Sequence, residues 1–424
     1  MTAENVWEEK GKSMSMNETP SGERLHIGIF GRRNAGKSSL INAITGQDLA
    51  IVSEVKGTTT DPVKKAMELL PLGPVVLIDT PGLDDEGGLG QKRMEKGLQM
   101  LRQTDVLLLV IAADTMVGDL EQDLLAEAKK RGLPYLIVLN KTDLLADPAQ
   151  IDEKAGEISQ ALAVDPAKVC PVSTDPAQGI GELKERLAKL QPKEAERPLI
   201  RDLLEEGDLV VLVVPIDSAA PKGRLILPQQ QVIRDSLEAG AIPVVVRDTE
   251  LSQALAALGK KPRLVVTDSQ AFGTVAKIVP KDIPLTSFSI LMARYKGDLT
   301  VQIAGAQAIE DLKDGDTVLI SEGCTHHRQC DDIGTVKMPR WIREYTGKDL
   351  HFAFTSGTEF PKDLSPYALV VHCGGCTLPL QEMRYRISYG DSQKVAITNY
   401  GVMIAYIHGI LPRVTETFVD KRDK

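Results

Sequence analysis

The chain has 424 residues, a formal net charge of −9, 42% hydrophobic residues and 4% aromatic residues. A chain of this length typically holds roughly two to four domains. The acidic balance and the sparse aromatic residues argue against a nucleic-acid-binding surface, since such surfaces are basic and stack bases on aromatic rings. The longest apolar runs, Val106–Ala113 and Leu209–Ile216, are much shorter than the about 20 residues of a membrane helix. With no secretion signal visible, we expect a cytoplasmic protein that binds neither membrane nor nucleic acid.

The first predicted domain covers residues 24–191 and follows residues 1–23, whose polar composition predicts a flexible tail. A strand at Leu25–Phe30 precedes a helix at Lys37–Thr45. Further apolar runs bounded by turn residues predict three more strands, at Val75–Ile78, Val106–Ile111 and Tyr135–Leu139. Strands that alternate with helices in this way predict an α/β domain with a parallel sheet.

A glycine-rich loop stands between the first strand and the first helix. The segment from Gly31 to Ser38 (GRRNAGKS) matches the P-loop pattern G-x-x-x-x-G-K-[ST] in its required context. Its backbone N–H groups and the helix N-terminus bind phosphate. Lys37 is predicted to contact the β- and γ-phosphates, and Ser38 to bind Mg²⁺.

Two further motifs follow predicted strands. In the DTPG segment, Asp79 is suited to hold Mg²⁺ through water, and the Gly82 N–H is suited to sense the γ-phosphate. In the NKTD segment, which begins at Asn140, the carboxylate of Asp143 can accept two hydrogen bonds from guanine and so select GTP over ATP. The three motifs, in this order and after strands, predict a GTPase.

The segment GTTTD at residues 57–61 lies where the first switch of a GTPase belongs, and we expect Thr59 to bind Mg²⁺. Together these residues resemble the Era and MnmE group of translation-factor-like GTPases, whose Ser-Ala motif is here Ser173-Thr174. Lys37, Thr59, Asp79 and Gly82 are the predicted catalytic residues. The predicted nucleotide-binding residues are Asn34, Ala35, Gly36, Lys37, Ser38, Ser39, Thr58, Thr59, Asp79, Gly82, Asn140, Lys141, Asp143, Ser173 and Thr174.

Two positions predict how hydrolysis proceeds. Leu83 follows Gly82, where Ras-like proteins have a water-orienting glutamine, and leucine cannot orient water. Asn34 stands where related GTPases use asparagine to bind K⁺ in the place of an arginine finger. We therefore expect slow hydrolysis that K⁺ stimulates, with Glu86 or Gln91 as candidates to orient the water.

A second predicted domain covers residues 197–282 and a third covers residues 283–424; both alternate strands with helices. The second has about three apolar strands and no cluster of catalytic residue types, which favours a structural or interaction role. In the third, Cys324 follows the predicted strand Thr317–Ile320. The predicted strand Ala368–Val371 is followed by His372, Cys373 and Cys376.

Ligands of an open α/β sheet bind at the carboxyl ends of its strands, so these cysteines are predicted to converge. Three thiolates on such loops suit a [4Fe–4S] cluster. Cys330, His326, His372 and Asp331 are the candidates for the fourth iron ligand. Structural zinc bound by Cys and His remains the chief alternative. Cys170, within the GTPase segment, is interpreted as a buried small apolar residue.

The pattern C-x-H…H-C-x-x-C, the Era/MnmE-type GTPase and the segment DSAAPKGRLILPQQQ at residues 217–231 resemble the [FeFe]-hydrogenase maturation GTPases of the HydF family. The resemblance implies a GTP-binding, a dimerisation and a cluster-binding domain, with Cys324, Cys373 and Cys376 as cluster ligands. It also implies a scaffold that receives a di-iron precursor from the radical-SAM maturases HydE and HydG and delivers it to the apo-hydrogenase HydA. GTP hydrolysis is then expected to regulate partner association.

Two other functions are compatible with parts of the sequence. One is an RNA-modification or ribosome-assembly GTPase with a structural zinc site, against which the acidic charge and the few aromatic residues argue. The other is an electron-transfer protein gated by GTP, which a single cluster and no second redox cofactor make less attractive.

Overall fold

The computed structural model describes residues 19–46, 63–82, 96–190, 198–216, 225–324 and 332–418. The chain divides into two compact units. The first holds residues 1–100 and 105–190, and the second holds residues 101–104 and 191–424. Within the described ranges, no helix is both long enough and apolar enough to cross a membrane.

The first unit is built on a six-stranded sheet with strand order β2-β3-β1-β4-β5-β6, in which only β2 runs antiparallel to its neighbour. Its strands are β1 Leu25–Gly31, β2 Val63–Leu69, β3 Gly73–Asp79, β4 Val106–Ala112, β5 Tyr135–Asn140 and β6 Val169–Pro171, with a small hairpin of β7 Ser173–Thr174 and β8 Ala177–Gln178. The central strands are buried on both faces, because helices cover a parallel sheet on each side.

The helices of this unit are α1 Lys37–Thr45, α2 (described over residues 96–101, of which only 96–100 belong to this unit), α3 Asp119–Lys130, α4 Pro148–Ala161 and α5 Ile180–Ala188. Asp147 begins α4 by accepting a hydrogen bond from the Gln150 N–H, and Pro148 occupies the first turn, where no N–H is needed. Every strand and helix predicted around the three nucleotide motifs is present. The predicted α/β fold with a P-loop GTPase domain is thus confirmed.

The second unit contains two four-stranded parallel sheets, ordered β10-β9-β11-β12 and β14-β13-β15-β16. The first sheet consists of β9 Leu209–Val213, β10 Ile242–Val246, β11 Leu264–Thr267 and β12 Leu285–Ser287. The second consists of β13 Thr317–Glu322, β14 His351–Ser356, β15 Leu369–His372 and β16 Ala396–Asn399.

Nine α-helices lie in the described part of the second unit, with a short π-helix at Ile333–Lys337. They are α6 Leu227–Glu238, α7 Leu251–Ala257, α8 Phe272–Ile278, α9 Phe288–Lys296, α10 Leu299–Gln307, α11 Met338–Thr346, α12 Leu380–Ser392, α13 Tyr400–Ile407 and α14 Leu411–Thr415. The side chain of Ser287 caps α9 and that of Asn399 caps α13, so each helix begins directly at the end of a strand.

One hydrophobic core joins the two sheets of this unit. It contains Val211 and Val265 from the first sheet together with Val318 and Val371 from the second. The first sheet has four strands where the sequence suggested about three, because β12 pairs with β11. This strand lies beyond the limit at residue 282 that the sequence suggested for the second domain; the domain limits themselves stay predictions.

Candidate functional site

The P-loop connects β1 to α1 and includes residues with positive φ. Gly36, the residue before α1, has φ +87°, and a Cβ there would lie 2.2 Å from Asn140 Nδ2. Only glycine is therefore tolerated at this position. Asn34 also has a positive φ of 61°, a region that asparagine enters more readily than most residues, and its side chain is exposed.

Lys37 is 8% exposed and lies across this loop. Its Nζ donates to the carbonyl oxygens of Gly31 at 3.0 Å and Arg32 at 2.7 Å. These carbonyl contacts keep a buried ammonium solvated by the backbone, inside the loop that surrounds the phosphates in P-loop proteins.

The two predicted Mg²⁺ contacts are hydrogen-bonded to each other. Ser38 Oγ donates to Asp79 Oδ2 at 2.8 Å, across from the P-loop to the end of β3. Burial raises the pKa of Asp79, while the Ser38 bond and the charge of Lys37 oppose the rise. A Cβ at Gly82 would lie 2.8 Å from Arg33 Cα, so the DTPG segment contacts the P-loop closely enough to require glycine.

The NKTD segment, which is predicted to recognise guanine, is hydrogen-bonded to the P-loop. Asn140 is fully buried, and its Nδ2 donates to Ala35 O at 2.9 Å. Asp143 is exposed, and its Oδ1 accepts a hydrogen bond from Ser173 Oγ at 2.8 Å. Ser173 therefore orients the carboxylate that is predicted to bind guanine, although the residue after it departs from the Ser-Ala motif.

The remaining predicted residues surround these segments. Lys141 has φ 62° and lies 3.7 Å from the carboxylate of Asp114. Ser39 and Thr174 line an open pocket of about 430 Å³ between α1 and the β7–β8 hairpin. Hydrogen bonds and one close approach thus bring the P-loop, DTPG and NKTD segments into contact.

Several sequence predictions fall outside the described residues. Thr58 and Thr59, predicted for the first switch, lie there, as do Leu83, Glu86 and Gln91. Their roles stay predictions.

The sequence did not predict an ion pair between the P-loop and the first turn of α3. Arg32 donates from Nε and Nη2 to the two carboxylate oxygens of Glu121, at 2.8 and 3.1 Å. Glu121 is 1% exposed and also accepts from the Gly118 N–H at 2.9 Å. The capping-box position of Glu121 at the start of α3 was the available signal, but its partner is 89 residues away.

The second candidate site lies at the carboxyl ends of β13 and β15, which are neighbours in register from Val318↔Leu369 to Ser321↔His372. Cys324 follows β13 and Cys373 follows β15, so the predicted convergence of these two segments is present. Cys373 Sγ accepts hydrogen bonds from the backbone N–H groups of Gly323 at 3.0 Å and Gly375 at 3.3 Å.

The sulfur atoms of this site influence one another electrostatically. Burial first, and then electrostatic repulsion from Cys324 and Cys376, raise the pKa of the Cys373 thiol to about 12, although the two N–H donors oppose the rise. The protonated thiol is therefore the form favoured in the absence of metal. In the part of the chain that the structure describes, no three Cys, His, Asp or Glu side chains are close enough together to hold a metal ion.

Both ring nitrogens of His372 take part in a buried hydrogen-bond network. Its Nδ1 lies 2.7 Å from Cys373 O, and its Nε2 lies 2.9 Å from Nη1 of the fully buried Arg386. Arg386 also donates to Glu382 Oε1 at 2.8 Å. Burial, and then the charge of Arg386, lower the pKa of His372 to about 3.

His372 would have to release one of these partners to bind iron. The other predicted fourth ligands, His326, Cys330 and Asp331, lie outside the described residues. Cys170 is fully buried in the core of the first unit, and burial raises its pKa to about 11, as expected of a thiol with a packing role.

Comparison with curated proteins places the first unit among bacterial GTPases. GTPase Der of Kosmotoga olearia is 31% identical over 185 residues, which are 42% of this chain and 42% of that protein. The tRNA modification GTPase MnmE of a Synechococcus species is 35% identical over 192 residues, which are 44% of this chain and 38% of that protein. The chain thus spans less than half the length of these relatives.

Two solved structures of Era also match parts of the chain. The crystal structure of Aquifex aeolicus Era bound to GDP and AlF₄⁻ is 18% identical, with a TM-score of 0.36, and the match covers 55% of this chain and 98% of that one. A structure of Era with a GTP analogue, Mg²⁺ and a 16S ribosomal RNA segment is 19% identical, with a TM-score of 0.36; its match covers 52% and 91% of the two chains.

Family models match three consecutive parts of the chain. Residues 26–141 match the 50S ribosome-binding GTPase family, residues 199–297 match the hydrogen maturase F dimerization domain, and residues 298–417 match the hydrogen maturase F tetramerization domain. The last two matches are contiguous and cover more than half of the chain. The protein is therefore a GTPase that belongs to the hydrogen maturase F (HydF) family.

Proposed function

We propose that this protein is an iron–sulfur scaffold and carrier that holds the di-iron precursor of the [FeFe]-hydrogenase active site and delivers it to the apo-hydrogenase. The observation that supports the proposal most directly is that two backbone N–H groups donate to Cys373 Sγ, with Cys324 and Cys376 near enough to act on it electrostatically. Backbone N–H donors to sulfur are what a cluster-bound thiolate requires in order to tolerate burial.

We propose Cys324, Cys373 and Cys376 as the ligands of a [4Fe–4S] cluster; each thiolate would bind a different iron, so the three need not be close enough to share a single metal ion. All three thiols are half-buried on loops at the carboxyl edge of one sheet. When bound, the cluster would supply an exchangeable iron position for the di-iron precursor. Because the Cys373 pKa is raised, loading must remove a proton from this thiol, so cluster assembly is expected to release protons.

The GTPase site would position the phosphates of GTP and stabilise their negative charge. Lys37 would exchange the carbonyl oxygens of Gly31 and Arg32 for β- and γ-phosphate oxygens. Ser38 and Asp79, already hydrogen-bonded, would bind Mg²⁺ directly and through water. Thr59 would complete the Mg²⁺ site. K⁺ bound at Asn34 would stimulate an otherwise slow reaction.

The partners follow from the family. The radical-SAM maturases HydE and HydG would supply the precursor and apo-HydA would accept it, with nucleotide state regulating these associations. Matches to dimerization and tetramerization domains support an oligomer. If affinity for each maturase were the same with GTP and GDP, the regulatory role would be wrong. A cytoplasmic location stays a prediction.

The first experiment measures iron and acid-labile sulfide after anaerobic purification of the native chain, Cys373→Ser and Cys170→Ala. We expect about four of each per chain in the native protein and in the Cys170 control, and a loss in the Cys373 variant. Zinc without sulfide would instead support the alternative of an RNA-related GTPase with a structural zinc site and would overturn the scaffold proposal.

A further inference from the structure

A lysine is buried beside the turn that carries Cys376. Lys296, the last residue of α9, is 1% exposed. Its Nζ donates to the carbonyl oxygens of Gly375 at 3.3 Å, Cys376 at 2.8 Å and Leu378 at 2.7 Å. Lysine is almost never fully buried unless its charge has partners, so these contacts indicate a specific role for this side chain.

The three carbonyl groups lie close together because the turn bends back on itself. Gly375 has φ +60°, and a Cβ there would lie 2.4 Å from Met383 Sδ, so the turn requires glycine. The Leu378 N–H then donates to Gly375 O at 3.0 Å. The end of α9 also favours a cation, because the negative end of the helix dipole lies there.

The same turn presents opposite backbone groups to Lys296 and to sulfur. The carbonyl oxygen of Gly375 accepts from Lys296, while the N–H of Gly375 donates to Cys373 Sγ. Thr377 Oγ1 donates to Gly323 O at 2.8 Å, and the Gly323 N–H is the second donor to this sulfur. The ammonium thus fixes the turn whose Gly375 N–H donates to Cys373 Sγ.

We propose that Lys296 is a positioning residue for the cysteine site: it holds the Cys373–Cys376 turn in the form that binds metal and supplies positive charge beside bound thiolates. The inference rests on the proposed function, since it concerns the same cysteines. Three thiolates bring three negative charges into a half-buried site, and a nearby fixed cation reduces the free energy of that burial.

The test replaces Lys296 with methionine, which has similar length and no charge, and with glutamine, which keeps donors to the carbonyl groups without the charge. Lys281→Met, at an exposed lysine, is the matched control. Each full-length protein is loaded anaerobically with iron and sulfide, and content, reduction potential and thermal unfolding are measured. Loss of a residue that supports metal ligands typically lowers metal affinity by about 10–100-fold.

We expect Lys296→Met to lose affinity within that range and Lys296→Gln to lose less. Both should shift the reduction potential of the remaining cluster to more negative values, because removal of a cation disfavours the added electron. Native iron content and native potential in both variants would overturn the inference. Loss of the folding transition in both would show a purely structural lysine and also overturn it. A native chain without iron and sulfide would refute the proposed cluster instead.

Discussion

Removal of the Ser173 hydroxyl is expected to weaken guanine recognition. Ser173→Ala deletes the 2.8 Å bond that orients the Asp143 carboxylate. A hydrogen bond to a charged group contributes about 1.5–3 kcal/mol. Because Asp143 is exposed and water competes for it, we take about 1–1.5 kcal/mol, which corresponds to a roughly 5–13-fold loss of GTP affinity.

Displacement of a fluorescent GDP analogue measures this loss. Inosine triphosphate lacks the exocyclic amino group of guanine and makes one bond fewer to Asp143, so its affinity should fall less than that of GTP. Ser21→Ala, at an exposed serine before β1 and so at the opposite end of that strand from the P-loop, is the control and should leave both affinities unchanged. The reasoning is refuted if Ser173→Ala binds GTP as tightly as the native chain, or if the Ser21 control shows the same loss.

Three further outcomes are expected. GTP hydrolysis in Na⁺ should be slower than in K⁺, and Asn34→Ala should abolish the difference in steady-state phosphate release; equal native rates in both salts would contradict K⁺ binding. Val245→Lys should reduce the fraction of oligomer measured by light scattering, because Val245 is 45% exposed on the edge strand β10. Leu237→Lys, on α6, should leave that fraction unchanged. Arg386→Met should lower the free energy of unfolding by about 3–5 kcal/mol, since it leaves Glu382 buried and unpaired. Adding Glu382→Leu should recover much of this loss in denaturant titrations, and an unchanged loss would argue against the pair.

The elements that the sequence predicted share a strong local signal. β1, β4 and β5 are nearly continuous apolar runs, and α1 begins directly after the P-loop. β2 was missed because it is an edge strand: only Leu69 of its seven residues is buried, and two adjacent lysines interrupt the apolar pattern. Such a strand is stabilised by its pairing with β3 and not by burial of its own side chains.

In the candidate sites, the sequence predicted which segments meet but not every contact that their side chains make. Motif spacing predicted which residues surround the nucleotide, because the P-loop, DTPG and NKTD segments each follow a strand. It could not predict that His372 is engaged by Arg386, since a fully buried arginine contradicts ordinary residue preference and its partners come from distant segments. The burial of Lys296 was unpredictable for the same reason.

The core that joins the two sheets of the second unit has a consequence for how oligomers of this protein respond to stress. The regions that match dimerization and tetramerization domains meet at residues 297 and 298, yet Val211, Val265, Val318 and Val371 belong to one core. A chain cut at this junction would expose apolar surface on both fragments. On heating, the contacts between subunits and the Cys373–Cys376 turn should therefore be lost in one cooperative step. A substitution that destabilises either region should also destabilise the other.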